Sequence, residues 1–415
     1  MSKTVNATKK IGELGKLGKK EASMSLSRRD FVRTLGVGAA GAYAATLVSS
    51  RRQEAIAFAA QTGVSPSQVI NLSNNENPMG PGQRVLDAIE RALGPSGAFA
   101  GRYPFPLDKP LHEMIAKKWN VKPENVMLGA GSTQILVNST HIYTSKEKAV
   151  VGSLPTYEEC FGYAALIGSR TKAVPLTSEF RMDLDKTMYA LKGAGMMFYC
   201  NPNNPVASLV NPSDSKEFLP RALKANKDLR ILVDEAYIDY VTTPGHETMI
   251  PMAVQEPRLI VARTFSKAYG MAGLRVGYAI AHENTIKELD KFHMGNTISG
   301  LSYAAVLAAL ERDVADPSYI PNESKRNEQA RAFTLKWFAD RGYKATDAQA
   351  NFTFVDVAMP VEDFQAACAK EGIKVGRPFP PLWTHCRISI GTMDEMQRAV
   401  QVFDGVLSAA KAKAA

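Results

Sequence analysis

The chain has 415 residues, beyond the ~250–300 at which one hydrophobic core usually stops growing, so a large and a smaller domain are expected. A composition of 45% hydrophobic and 22% charged residues is globular and excludes a disordered, collagen-like or disulfide-scaffold chain. The formal net charge of +9 invites a nucleic-acid reading, but eleven basic and four acidic residues precede Phe58, leaving +2 on the body and no basic stripe with interleaved aromatics, so no nucleic-acid partner is expected.

Residues 1–57 read as an extension that is processed. Ser27-Arg28-Arg29-Asp30-Phe31-Val32 is followed by an uncharged, small-residue run from Thr34 to Ser50, then by Ala55-Ile56-Ala57. A basic region, an apolar region and A-x-A form a cleavage signature. The paired arginines resemble the twin-arginine export motif. The expectation is a periplasmic or otherwise exported protein that meets the twin-arginine translocase, with a cytoplasmic location as the alternative. The 14 residues from Leu35 to Val48 fall short of the ~20 that a spanning helix needs, so the mature form is expected to have no membrane span.

The body opens on a polar, turn-rich stretch, Asn71 to Gly82. Helices are expected over 84–93 and 107–119, separated by turns that contain Arg102-Tyr103-Pro104. Strands and helices then alternate. Strands are expected at 126–128, 148–152, 171–175, 195–199, 229–233, 259–263 and 275–280, with a helix over 212–225 among those between them. Apolar strands separated by helices give an open, mostly parallel α/β sheet. Helices over 302–310 and 323–341 lead to a strand, helix and strand at 352–357, 361–371 and 386–390, then to a closing helix at 394–410. This last part reads as the smaller α+β domain.

Polar residues gather where strands end, the edge at which open α/β sheets bind ligands. Thr264, Ser266 and Lys267, followed by Arg275 and flanked by glycines, look like a phosphate cup with a reactive amine; a lysine after a strand is otherwise simply solvated. Gly129-Ala130-Gly131-Ser132 looks like a helix-start anion site, or only an N-cap. Asp234 could pair with a buried heterocyclic nitrogen or be an ordinary cap. Asn201 could be a turn former, and Tyr157 only packing. Each plain reading stands singly, but none explains the order of all five along one chain. Cys160, Cys200, Cys368 and Cys386 are far apart and the 6 histidines are scattered, so no metal site is expected. Cys200 reads as a buried apolar residue rather than a nucleophile.

Together these residues resemble the fold-type I pyridoxal-phosphate aminotransferases of class I/II, and within them the histidinol-phosphate aminotransferases. The stretches that carry the resemblance run in order: 74–81, 102–104, 129–132, 155–157, 201–205, 234–237, 263–278 and 387–391. The stretch Arg263-Thr-Phe-Ser-Lys-Ala-Tyr-Gly-Met-Ala-Gly-Leu-Arg-Val-Gly-Tyr278 is the most specific. The resemblance implies a large domain on a mostly parallel seven-stranded sheet and a smaller α+β domain. It divides the chain at 1–57, 58–105 (a segment joining the small domain and a dimer interface), 106–321 and 322–415. It also implies a homodimer.

Carried over residue by residue, the resemblance implies that Lys267 holds pyridoxal 5'-phosphate covalently and moves the substrate proton. Asp234 would pair with the ring nitrogen, Tyr237 and Asn201 with the ring's phenolic oxygen, and Tyr157 with its face. Ala130, Gly131, Ser132, Thr264, Ser266 and Arg275 would hold the phosphate, together with Tyr103 of a neighbouring subunit. Asn75, Asn351, Arg377 and Arg387 would meet the substrate, Arg387 at its α-carboxylate and Arg377 at a distal phosphate. The implied reaction moves an amino group from an L-amino acid or L-histidinol phosphate-like donor to a 2-oxo acid such as 2-oxoglutarate. Alternatives on the same residues are a decarboxylase or lyase like the threonine-phosphate decarboxylases, and a non-catalytic cofactor-binding protein. The chain departs from the family at Val206-Ala207, where Thr-Gly is usual, and at Thr133-Gln134, where two acids are usual.

Overall fold

The computed structural model describes residues 69–94 and 99–414. Among them are eleven strands: β1 (Ile70–Leu72), β2 (Val126–Gly129), β3 (Ala149–Leu154), β4 (Thr171–Pro175), β5 (Ala194–Cys200), β6 (Arg230–Asp234), β7 (Leu259–Thr264), β8 (Gly277–Ala281), β9 (Phe352–Asp356), β10 (Ile373–Val375) and β11 (His385–Ser389). Seven of them form one sheet in the order β2-β8-β7-β6-β5-β3-β4. Only β8 runs against its neighbours, so the sheet is mostly parallel, as expected.

The sheet is covered on both faces, which is why its strands read as unbroken apolar runs. In β5, Met197 and Tyr199 enter the core on one side, with Leu111, Ile115 and Phe218. Met196, Phe198 and Cys200 enter the other, with Ile135, Leu136 and Cys160. Strand pairing brings the polar strand ends to one edge. Cys200 lies opposite Asp234, and Asp234 opposite Ala262. Gly277 lies between Thr264 and Gly129. The helix Ser132–Tyr143 starts from that same edge.

The smaller α+β lobe pairs β9 with β11 antiparallel and β1 with β10 parallel. Its core contains Leu72, Phe338, Phe364 and Phe403. The helix Tyr319–Ala339 buries Phe338 there. Further back along it, Arg331 donates to the carbonyls of Ala350 (2.9 Å) and Tyr240 (3.4 Å), tying the small lobe to the loop after β6.

Several element bounds differ from the sequence reading for local reasons. β8 starts at Gly277 rather than Arg275, because Arg275 has a left-handed backbone (φ 53°) that closes a short turn before it. The helix expected from Glu323 starts at Tyr319; Pro321 sits in its first turn, where the missing N–H costs nothing. β1 is only three residues, Ile-Asn-Leu, inside a polar stretch, and periodicity does not reveal it.

The twin-arginine stretch, the cleavage site and the rest of the 1–57 extension lie outside the described residues. No helix among the described residues is long and apolar enough to cross a membrane. The expectation of an exported, periplasmic protein that meets the twin-arginine translocase is corrected accordingly: nothing in the folded body carries it.

Candidate active site

The anion cradle is built where β2, β7 and β8 end. Gly131 has φ 71° and precedes the helix Ser132–Tyr143, whose first turn carries no side-chain cap. Its N–H donates to the Arg275 carbonyl (3.1 Å). The positive φ at Gly131 favours glycine, and a Cβ there would stand 2.3 Å from the Arg275 guanidinium and displace it. Arg275 Nη1 reaches the Ser266 hydroxyl (3.3 Å), and Thr264 Oγ1 donates to the same hydroxyl (2.9 Å). Backbone N–H groups, two hydroxyls and a guanidinium therefore converge at a helix start, a geometry suited to a phosphate group. Gln134, where an acid is usual, accepts from the Ala130 N–H (2.8 Å) and from Thr297 Oγ1 (3.1 Å).

Beside the cradle are an acid and an amine whose protonation is set by their surroundings. Asp234 ends β6 and is buried. Burial raises its carboxyl to about 7, against one hydrogen bond from the Ala236 N–H (3.1 Å) and the attraction of Lys267. Lys267 Nζ lies 3.5 Å from the Asn74 carbonyl and 5.5 Å from the centroid of the Tyr237 ring. Burial lowers its amine to about 8; the charges of Arg387 and Arg275 also lower it, while Glu76 and Asp234 oppose. The nearby Cys160 and Cys200 thiols are raised by burial, which fits the reading of Cys200 as apolar packing.

The Tyr237 hydroxyl accepts from Asn75 Nδ2 (3.1 Å) and from Asn204 Nδ2 (3.3 Å). Both amides are oriented by their other ends. Asn75 Oδ1 accepts from the Ser389 hydroxyl (3.1 Å), and Asn204 Oδ1 accepts from Arg387 Nη1 (2.8 Å). With both acceptor positions used, the Tyr237 O–H is left to donate. Asn201, expected to meet the ring's phenolic oxygen, is held from one end of its side chain. Its Oδ1 accepts from the Val210 N–H (2.9 Å), so it shapes the loop, while Asn204, three residues on in the same motif, reaches the tyrosine. Two asparagines in one Asn-Pro-Asn-Asn-Pro run could not be told apart without the backbone.

Arg387, on β11, is held by Asn204 and by the Ser73 carbonyl (2.7 Å), against the rings of Phe379 and Phe352 at 5.2 and 5.7 Å. Its buried Nε has no hydrogen-bond partner. Asn351 Nδ2 donates to the Asn75 carbonyl (3.0 Å), and its buried Oδ1 is also without a partner. Tyr157 is partly buried against the core that holds Ile135 and Cys160. Tyr103 stands apart from this cluster, 71% exposed and 5.6 Å from the Phe105 ring. Arg377 is exposed, with Nη2 2.7 Å from the Glu158 carboxylate; the sequence reading had not singled out Glu158.

Known proteins are similar to this chain in sequence and in fold. The family profile for aminotransferase class I and II matches residues 67–403. A histidinol-phosphate aminotransferase of Symbiobacterium thermophilum is 30% identical over 82% of this chain and 91% of its own. An aromatic amino acid aminotransferase of Thermobifida fusca is 33% identical over 78% of this chain and 86% of its own. The crystal structure of a histidinol-phosphate aminotransferase from Sinorhizobium meliloti, solved with pyridoxal-5'-phosphate, superposes with a TM-score of 0.75 at 27% identity, covering 85% of this chain and 94% of that one. A match that spans both lobes and every residue of the clustered site places this chain in the class I and II aminotransferase family.

Proposed function

We propose that Lys267 is the attachment point for pyridoxal 5'-phosphate in this aminotransferase and the group that carries the substrate proton. The observation behind this reading is the juxtaposition of a buried acid, an amine with lowered basicity and an anion cradle at neighbouring strand ends. The residues fit the cofactor. Ala130, Gly131, Ser132, Thr264, Ser266 and Arg275 would hold its phosphate. Asp234, buried with a single N–H donor, would gain the cationic partner it lacks at the ring nitrogen. The Tyr237 O–H would donate to the ring's phenolic oxygen, with Asn204 and Asn75 fixing its aim, and Tyr157 would cover the ring face. When bound, the cofactor supplies an electron sink for the charge left on the substrate α-carbon.

The chain's own part is positioning and proton transfer. Arg387 would grip the α-carboxylate of donor and acceptor in turn, helped by Asn351. A neutral Lys267 Nζ would take the α-proton and return it at the neighbouring carbon. One amine serving two carbons must be held closely, which the amide and arginine network does. The donor would be an L-amino acid or an L-histidinol phosphate-like compound, as the relatives' names suggest, and the acceptor a 2-oxo acid such as 2-oxoglutarate.

The active form would be a homodimer to which Tyr103 contributes across the interface. In the single chain Tyr103, Phe105 and Phe99 are large rings left exposed near one another in sequence, which supports a covered surface there. The large domain would run over 106–321 and the small one over 322–415, with 58–105 joining the small domain and the interface.

The test is Lys267→Ala. Amino transfer should fall by at least about 10²–10⁴-fold, the range for loss of a general acid–base group. Borohydride treatment and peptide mass spectrometry should fix the cofactor to Lys267 in the unmodified chain and to nothing in the variant. Normal transfer by the variant would refute the assignment.

A further inference from the structure

The distal end of the substrate site carries a charge pair that the aminotransferase reading does not use. Arg377 is the guanidinium expected to meet a donor phosphate. In this chain it is bonded to Glu158 at 2.7 Å. Glu158 directly follows Tyr157, the residue proposed to cover the ring face. Arg377 also lies on the Phe379 ring, 4.3 Å from its centroid, and Arg387 lies on that same ring at 5.2 Å. Burial does most to lower the basicity of Arg387; of the pair's two charges, Arg377 lowers it further and Glu158 raises it. The pair is therefore within electrostatic reach of the group proposed to hold the α-carboxylate.

The wall beside the pair is apolar. Phe379 packs edge-on against Phe354 (6.0 Å between centroids), and both pack with Val206 in one buried cluster. Val206 stands where the related enzymes usually carry threonine, so a hydroxyl is absent from this wall.

Charge decides between donor classes here. An exposed ion pair costs only ~0–1 kcal/mol to open, so the bond itself is a weak barrier. The carboxylate remains beside the guanidinium whether or not the bond is made. A phosphate dianion approaching Arg377 meets a pair of zero net charge rather than a free cation. An uncharged aromatic side chain needs no free cation and gains contact with the apolar wall.

We propose that Glu158 is a specificity-determining residue: by neutralising Arg377 it turns the site away from phosphate-bearing donors and toward donors with an uncharged aromatic side chain. This rests on the aminotransferase reading above.

The experiment uses the holoenzyme with L-phenylalanine and L-histidinol phosphate as donors and 2-oxoglutarate as acceptor. The unmodified enzyme should show the higher kcat/KM with L-phenylalanine. In Glu158→Gln the ratio of kcat/KM for L-histidinol phosphate to that for L-phenylalanine should rise about tenfold or more, mainly through KM. Inorganic phosphate should inhibit that variant more strongly than the unmodified enzyme. Glu158→Asp should restore the original ratio, and Glu158→Gln with Arg377→Gln should lose the gain. An unchanged ratio in Glu158→Gln while L-phenylalanine is turned over overturns this inference alone. Absence of amino transfer from any donor overturns the aminotransferase reading and this inference with it.

Discussion

Asp234 and Lys267 are moved in opposite directions by one cause, burial, and each shift has a measurable sign. Lys267 must be neutral to attack an aldehyde. With its amine lowered to about 8 in the empty protein, the rate of cofactor capture should rise about tenfold per pH unit up to that value and then flatten. A rate still climbing steeply above pH 9 would show an unperturbed lysine. For Asp234 the folded protein keeps its proton up to about 7, while the unfolded chain loses it near 3.8. Between those values the folded state binds more protons, so this group's contribution to stability falls as pH rises. Asp234→Asn should remove that decline in cofactor-free protein. Unfolding free energies from urea titrations at pH 4.5 and 7 should therefore shift in the variant's favour at the higher pH, by on the order of a few kcal/mol. A difference independent of pH would contradict the burial argument.

The asparagine pair shows how far single residues could be read. The motif 201–205 marked the place, but the side chain that orients both Tyr237 and Arg387 is Asn204. Asn204→Ala would leave the Arg387 Nη1 without its acceptor and Tyr237 with one donor fewer. KM for the donor should rise about 10–100-fold, the equivalent of one charged hydrogen bond. Asn201→Ala removes only a loop contact to Val210, and its effect on KM should be smaller. The reverse order would make Asn201 rather than Asn204 the side chain that positions the donor.

At the scale of elements, the central strands were legible because both faces of the sheet are buried. Runs such as Ile231-Leu232-Val233 need no alternation when each neighbour has its own core to enter. The helix Pro212–Ala225 was legible for another reason: Pro212 opens it and an apolar face with Phe218, Leu219 and Leu223 follows. β1 was not, because three residues pairing with β10 some 300 positions later leave no local signal. Gly277 falls in the strand expected over 275–280, and what it provides is close approach. A Cβ there would stand 2.3 Å from the Ser132 nitrogen and 2.5 Å from the Gly131 carbonyl carbon, both backbone atoms. Gly277→Ala must push β8 away from the helix start. It should weaken cofactor affinity by at least about tenfold and lower the unfolding midpoint, both measurable by titration and melting of the same sample. Unchanged affinity would mean that the cradle does not depend on this contact.

At the scale of the whole molecule, two lobes meet around a shared set of residues. Asn75 comes from the segment after β1, Asn204 and Tyr237 from the sheet edge, and Arg387 and Ser389 from β11, yet they form one hydrogen-bonded group. Family resemblance gave most of this set in advance, because the motifs are short, polar and placed at strand ends. It could not give Glu158, whose meaning depends on a partner 219 positions away. The proposed homodimer should show as twice the chain mass in sedimentation, and Tyr103→Ala should weaken cofactor binding without disturbing the fold of the subunit. An active monomer would remove Tyr103 from the site.

The central claim is that this site moves an amino group and keeps it. The most direct measurement mixes cofactor-loaded enzyme with one amino donor and no acceptor, and counts products per subunit. The account predicts one equivalent of 2-oxo acid, with the amino nitrogen retained by the enzyme until a second 2-oxo acid is added. Release of carbon dioxide or ammonia, with turnover continuing in the absence of an acceptor, would contradict it.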